Sequence, residues 1–114
     1  MAASEGFVAF VCDQLGPWAA VLPRRMFGGL GLFRSGTMFA LVQEDTLYFR
    51  TDDANVGDFR AAGMAPFSYR RAGRTVALGY HAVPSDVLDE SDRLAAWAEK
   101  AYAAALRRAK SRAG

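Results

Sequence analysis

Three glycines within four positions are the first candidate for chemistry. Residues 24–33 read Arg24-Arg25-Met26-Phe27-Gly28-Gly29-Leu30-Gly31-Leu32-Phe33. Glycine runs of this density are where backbone amides cradle phosphate. The order of the residues argues against that use. A dinucleotide site needs G-x-G-x-x-G between a strand and a helix, and a P-loop needs Gly-Lys-Ser/Thr opening a helix. Here the order is G-G-x-G, with strand-like sequence on both sides. The K-homology GXXG loop joins helices, so that context is absent too. The run reads as one strand over 25–34, with bare patches that permit a bulge or a close approach by a neighbour. Met26, Leu30 and Leu32 fall on one side of it, Phe27 and Phe33 on the other. Both faces are apolar, so a helix is expected over one and a second subunit over the other.

The remaining reactive side chains are sparse. Cys12 and His81 are the only residues of their kinds. A nucleophilic pair would need them adjacent in space, and nothing in the sequence brings them together. Cys12 lies in an apolar stretch and reads as a small core residue, and His81 lies opposite Tyr80 on its strand. One histidine and one cysteine, without a C-x-x-C, make no zinc site. Carboxylates cluster at Asp52-Asp53 and at Asp86, Asp89, Glu90 and Asp92. Both groups fall at expected helix starts, where capping and the helix dipole explain them, and no calcium-loop spacing is present. No catalytic, cofactor-binding or metal-ligating residue is assigned, and no cofactor is expected.

Arginines supply the surface candidates. Arg70, Arg71 and Arg74 surround a turn beside Tyr69, a combination suited to phosphate or acidic partners. Arg107, Arg108, Lys110 and Arg112 make the last eight residues basic, while the formal charge of the whole chain is only +2. The basic tail, about 107–114, also completes a helix dipole. Arg70, Arg71, Arg74, Arg107, Arg108 and Lys110 are therefore the expected partner or anion surface.

The elements that position these residues follow from periodicity. Ser4 caps a helix over 5–15, with Phe7, Phe10, Val11 and Leu15 at helical spacing, and Gly16-Pro17 end it. Pro23 interrupts any further helix. Ser35-Gly36 and Glu44-Asp45 are tight turns flanking strands at 37–43 and 46–51. Asp52 or Asp53 caps a short helix that Gly63 closes. Strands at 67–71 and 74–81 form a hairpin across Ala72-Gly73, and Pro84 opens a short helical turn. Ser91 or Asp92 caps the last helix, whose stripe is Leu94, Trp97, Ala98, Ala101, Tyr102 and Ala105. The order is α-β-β-β-α-β-β-α, an α+β fold with an antiparallel sheet packed by helices. The chain of 114 residues is expected to be one domain.

Composition narrows the setting. The chain is 52% hydrophobic and 23% charged, which excludes disorder. A lone cysteine permits no internal disulfide. The N-terminal stretch lacks the basic lead of a signal peptide, and no apolar run is long enough to cross a membrane. A cytoplasmic location is expected.

Taken together and in order, "RRMFGGLGLF", "MFALV", "LYFRTDDAN", "PFSY", "VALGYHAVP" and the final helix resemble the N-terminal domain of the TfoX/Sxy competence regulators. The resemblance covers roughly 20–105 and implies a fold like that of secretion chaperones. Longer members induce DNA-uptake genes together with the catabolite activator protein and carry a further helical domain. The present chain reads as a single-domain member without it. The resemblance carries no catalytic residues. The reading favoured is a non-enzymatic regulatory module similar to that domain, acting through protein contact, with a homodimer expected through an apolar sheet or helix face. Two alternatives remain: nucleic-acid binding through the arginine hairpin and basic tail, which the weak overall charge argues against, and a small-ligand or enzymatic pocket between sheet and helix lined by Trp18, Trp97 and Tyr80.

Overall fold

The structure, a computed structural model, describes residues 4–26 and 28–113, the side chains of 112 and 113 excepted. The expectations placed on Phe27 and on the side chain of Arg112 lie outside what is described. Helix α1 spans Glu5–Leu15, and the Ser4 hydroxyl accepts a hydrogen bond from the Phe7 amide. Strands β1 (Leu22–Met26), β2 (Gly29–Arg34), β3 (Thr37–Gln43) and β4 (Thr46–Arg50) follow. Helix α2 (Val56–Ala61), strands β5 (Pro66–Arg71) and β6 (Arg74–Ala82), and helices α3 (Ser85–Leu88) and α4 (Ser91–Ala113) complete the chain. The six strands form one antiparallel sheet in the order β1-β2-β3-β4-β6-β5. The fold is α+β, as expected.

One expected strand is two. Residues 25–34 do not run straight through: Met26 pairs with Gly29, so the chain reverses between them, and Gly28 sits there at φ +77°. That backbone conformation is nearly free for glycine and costly for other residues. The reversal also moves Met26 off the face of Leu30 and Leu32. Pro23 fits because β1 is an edge strand, where a missing N–H breaks no ladder. The other three hairpins turn at Ser35-Gly36, Glu44-Asp45 and Ala72-Gly73, each with positive φ at both residues. That conformation follows the right-handed twist of the strands.

The core lies on one face of the sheet. Cross-strand partners share a face, and the register places Leu30, Leu32, Ala40, Val42, Leu47 and Phe49 together. A bulge opposite Leu32/Phe33 leaves Phe39 unpaired, and Phe39 joins the same core. Val11 and Leu15 of α1, Phe59 of α2, Val87 of α3 and Leu94, Ala98, Ala101 and Ala105 of α4 pack against these residues. Phe10 departs from the expected stripe, being 40% exposed. The Ser91 hydroxyl donates to the Gln14 carbonyl at 2.8 Å, tying α4 to α1 rather than capping its own helix.

The start of α2 also differs from expectation. Asn55 takes the N-cap position and no side chain caps the helix. Asp52 and Asp53 lie outside it, and Asp52 instead accepts hydrogen bonds from Arg107 at 2.7 and 3.1 Å. Gly63 closes the helix at φ +72°, with the Met64 amide donating back to the Phe59 carbonyl.

Candidate binding face

The opposite face of the sheet carries Arg24, Met26, Gly31 and Phe33, then Met38, Leu41, Tyr48, Arg50 and Tyr80, by the same register argument. Side chains of this outer face provide most of the lining of a groove of about 1110 Å³, which also reaches Leu30 of the inner face. Its floor includes Met26, Met38, Leu41, Phe67, Tyr69 and Tyr80, and the last turns of α4 add Ala105, Arg108 and Ala109. The charged side chains lining it are Arg50, Arg71 and Arg108, all cationic.

Arg50 is the most firmly held of the three. It ends β4, where Tyr80 of β6 is its register partner. Its guanidinium lies 5.0 Å from the Tyr80 ring centroid, and Nη1 donates to the Leu78 carbonyl at 3.1 Å. Gly79 makes room for it: a Cβ there would stand 3.3 Å from Arg50 Nη2, and its φ of +74° also suits glycine. Asn55, 2% exposed, fixes the backbone behind it. Its Nδ2 donates to the Arg50 carbonyl at 2.9 Å, and its Oδ1 accepts from the Asp52 amide at 2.8 Å. Arg50 Nε is buried with no hydrogen-bond partner. Burial pushes the Tyr80 hydroxyl pKa up, and the neighbouring Arg50 charge opposes that rise.

The structure divides the expected arginine surface. Arg71 and Arg108 line the groove together. Arg107, although adjacent in sequence, is spent on Asp52, and this ion pair holds the Asp52 carboxyl below the usual carboxylate range. Arg70 turns back to donate to the Gly73 carbonyl at 3.1 Å. Arg74 and Lys110 are exposed outside the groove lining. Arg50 was not anticipated, because an arginine alternating with apolar residues looks like the solvent side of any strand. Its neighbour Tyr80 and the clearing at Gly79 become visible only once β6 is known to pair with β4.

The alternative pocket between sheet and helix is not assembled. Trp18 packs edge-on against Phe39 and Tyr102, with centroids at 5.2 and 6.2 Å, and Trp97 against Phe59 at 4.8 Å. Those rings fill the space between sheet and helices, and Tyr80 faces the other way. The pocket imagined between Trp18, Trp97 and Tyr80 is therefore replaced by core packing. His81 lies on the inner face, with Nδ1 2.9 Å from Thr51 Oγ1 and its ring beside Phe59. Its burial, and then the Arg60 charge, lower its pKa. Cys12 is partly buried between α1 and the β1–β2 hairpin, and that burial raises its thiol pKa. Among the described residues no group of three or more His, Cys, Asp and Glu side chains could hold a metal ion. No helix is long and apolar enough to cross a membrane.

Comparison with known families gives one decisive match: the model of the TfoX N-terminal domain aligns with residues 13–105. The chain belongs to that family. No curated protein matches it. The match begins within α1 and runs to Ala105 of α4, so the TfoX N-terminal domain here includes every strand of the sheet. Arg108, which completes the groove, lies just beyond the matched residues.

Proposed function

We propose that this TfoX N-terminal domain is a non-enzymatic regulatory module that works by contact with a protein partner through the outer face of its sheet. One observation carries the reading. Helices bury the inner face, while the outer face is an open groove whose apolar floor is bordered by Arg50, Arg71 and Arg108. Apolar surface rimmed by polar groups marks interaction sites. A second copy of the chain is a poor occupant, because an isologous contact would set the same cations against each other. The partner is therefore a different protein. In this reading residues 1–114 act as one module in the cytoplasm, in regulation of the kind the competence-regulator resemblance implies.

A photo-crosslinking amino acid placed at Tyr69, which is 37% exposed in the groove, tests the proposal in the native cell. The same group at exposed Asp89, on the helical side, is the control. A discrete crosslinked protein is expected from position 69 and not from position 89. Capture only from position 89, or from neither, would refute contact through the outer face.

A further inference from the structure

We infer that the outer groove takes an extended acidic segment of the partner, with apolar side chains interleaved between its carboxylates. The inference rests on the contact reading above and names the chemistry of what is contacted.

Charge comes first. Arg50, Arg71 and Arg108 line the groove and no acidic side chain does. Outside the groove some cations are paired: Arg34 with Glu99, Arg93 with Asp86 and Glu90, Lys100 with Asp58, and Arg107 with Asp52. Arg24, Arg25, Arg60, Arg70, Arg74 and Lys110 are not paired among the described residues, so it is the clustering of cations without a carboxylate that marks the groove. Among the described residues the three groove arginines have no ion pair. The contrast between Arg107 and Arg108 is sharpest, since adjacent residues on one helix point one guanidinium at a carboxylate and leave the other facing the groove.

Preorganisation comes next. Arg50 is braced by Leu78, Tyr80 and the clearing at Gly79. A guanidinium held in place loses less freedom when a carboxylate arrives, and its planar fork matches two carboxylate oxygens. The buried Nε without a partner leaves that charge only partly compensated by the protein.

The floor then selects between acidic partners. A single-stranded nucleic acid would need open ring faces for its bases to stack on. Here Arg50 lies over Tyr80 and Arg24 lies over Phe33. Phe67 meets Tyr48 edge-on, with centroids 4.9 Å apart. Tyr69, 37% exposed, leaves a single well-exposed ring in the groove, and beside it the lining offers the half-buried Met26 and Met38. Thioethers adapt to irregular aliphatic and aromatic side chains, so the floor suits the apolar residues of a peptide better than a row of bases. Phe67, Tyr69 and Arg71 alternate along β5 into the groove, a spacing of two that an extended peptide matches.

The test is fluorescence anisotropy with three labelled probes against the whole chain. One is a peptide of about ten residues alternating glutamate with leucine and phenylalanine, which spans roughly 33–36 Å when extended against a molecule of 38 × 33 × 29 Å. The second replaces each glutamate by glutamine, and the third is an oligothymidylate of similar length. The glutamate peptide is expected to bind, to weaken with salt, and to lose roughly tenfold in affinity in the Arg71→Ala/Arg108→Ala double variant. Both residues are exposed, so the variant keeps its fold, checked by circular dichroism. Arg50→Lys keeps a charge but removes the fork, and is expected to weaken the same peptide. Equal binding of the glutamine peptide, binding of the oligothymidylate alone, or no binding of any probe would each overturn the inference. In those cases a persisting crosslink from position 69 would leave the contact reading standing, whereas its loss would remove both.

Discussion

Replacing Gly28, Gly29 and Gly31 by alanine, one at a time, should give three different results from one short motif. Gly28 has open space around it, and its backbone lies at φ +77°. Alanine there pays only for the left-handed conformation, about 1 kcal/mol, and asparagine should recover part of that loss. A Cβ at Gly29 would collide with the Val42 carbonyl oxygen and stand 2.5 Å from Gln43 Oε1. The carbonyl belongs to the neighbouring strand and cannot step aside alone. Overpacking of this kind costs about 1–3 kcal/mol, against roughly 0.5–1 kcal/mol gained by removing a strand glycine. A net loss of about 1–2 kcal/mol is expected from those opposing terms. At Gly31 the Cβ would stand 2.6 Å from Met26 Sδ, 3.0 Å from Met38 Sδ and 3.1 Å from Phe33 Cε1. The two sulfurs sit near the ends of flexible side chains and can swing away, so Gly31→Ala should fall within about 0.5 kcal/mol of the parent. Urea unfolding followed by the fluorescence of Trp18 and Trp97 measures all three. If Gly31→Ala lost as much as Gly29→Ala, the thioether floor of the groove would be rigid, contrary to the adaptability assigned to it. If Gly28→Ala cost nothing, the turn between β1 and β2 would not need its left-handed residue.

Four further outcomes follow from single sites. Asn55→Ala removes both hydrogen bonds that hold the backbone of Arg50 and Asp52, and should cost about 1–3 kcal/mol in urea unfolding. The Asp52 pKa is depressed below 3.8, chiefly by the Arg107 hydrogen bond. Its contribution is therefore present above that pH and lost as pH falls through the folded value; Asp52→Asn should destabilise by less than about 1 kcal/mol at neutral pH and converge with the parent in acid. The His81 pKa is lowered from 6.5 by burial and then by Arg60, so the neutral ring is the one the fold favours. Stability should decline as pH falls below 6.5, and His81→Gln should flatten that slope in unfolding curves taken across the range. Burial followed by Asp13 raises the Cys12 thiol pKa, so a disulfide reagent should label the native protein more slowly than the urea-unfolded chain at mildly alkaline pH.

Local signals made much of the architecture readable. Helix α1 and its Ser4 cap, the tight turns at Ser35-Gly36, Glu44-Asp45 and Ala72-Gly73, the Gly63 stop and the stripe of α4 all depend on residues within a few positions of each other. The reversal between Met26 and Gly29 was hidden because the same short run carries glycines for unlike reasons. One serves a left-handed turn, one the approach of a neighbouring strand, and one the thioethers above it. Phe10 shows a different failure: it has helical spacing, but its direction points off the buried stripe. The groove was harder still to foresee. Arg71 and Arg108 were visible as parts of basic runs, but Arg107 and Arg70 looked equivalent to them. Only the positions of Asp52 and the Gly73 carbonyl separate the members of each pair.

The sheet's edges explain why contact belongs on its face. An exposed edge strand offers unpaired amides and carbonyls to any other chain, and proteins obstruct it with proline and charge. β1 carries Pro23, Arg24 and Arg25, all exposed, and Pro23 has no amide hydrogen to offer. β5, the other edge, begins at Pro66 and ends in Arg70 and Arg71. Both edges are thus poorly suited to receive a strand. The outer face lacks that protection: its apolar floor lies between the edges, with cations at its margins. A partner that supplies carboxylates would be drawn toward those cations, and its apolar side chains could then reach the floor. A second copy would meet like charge before reaching it. Arg71 serves both ends: on the β5 edge it discourages edge-to-edge association, and with Arg50 and Arg108 it favours an acidic occupant of the groove.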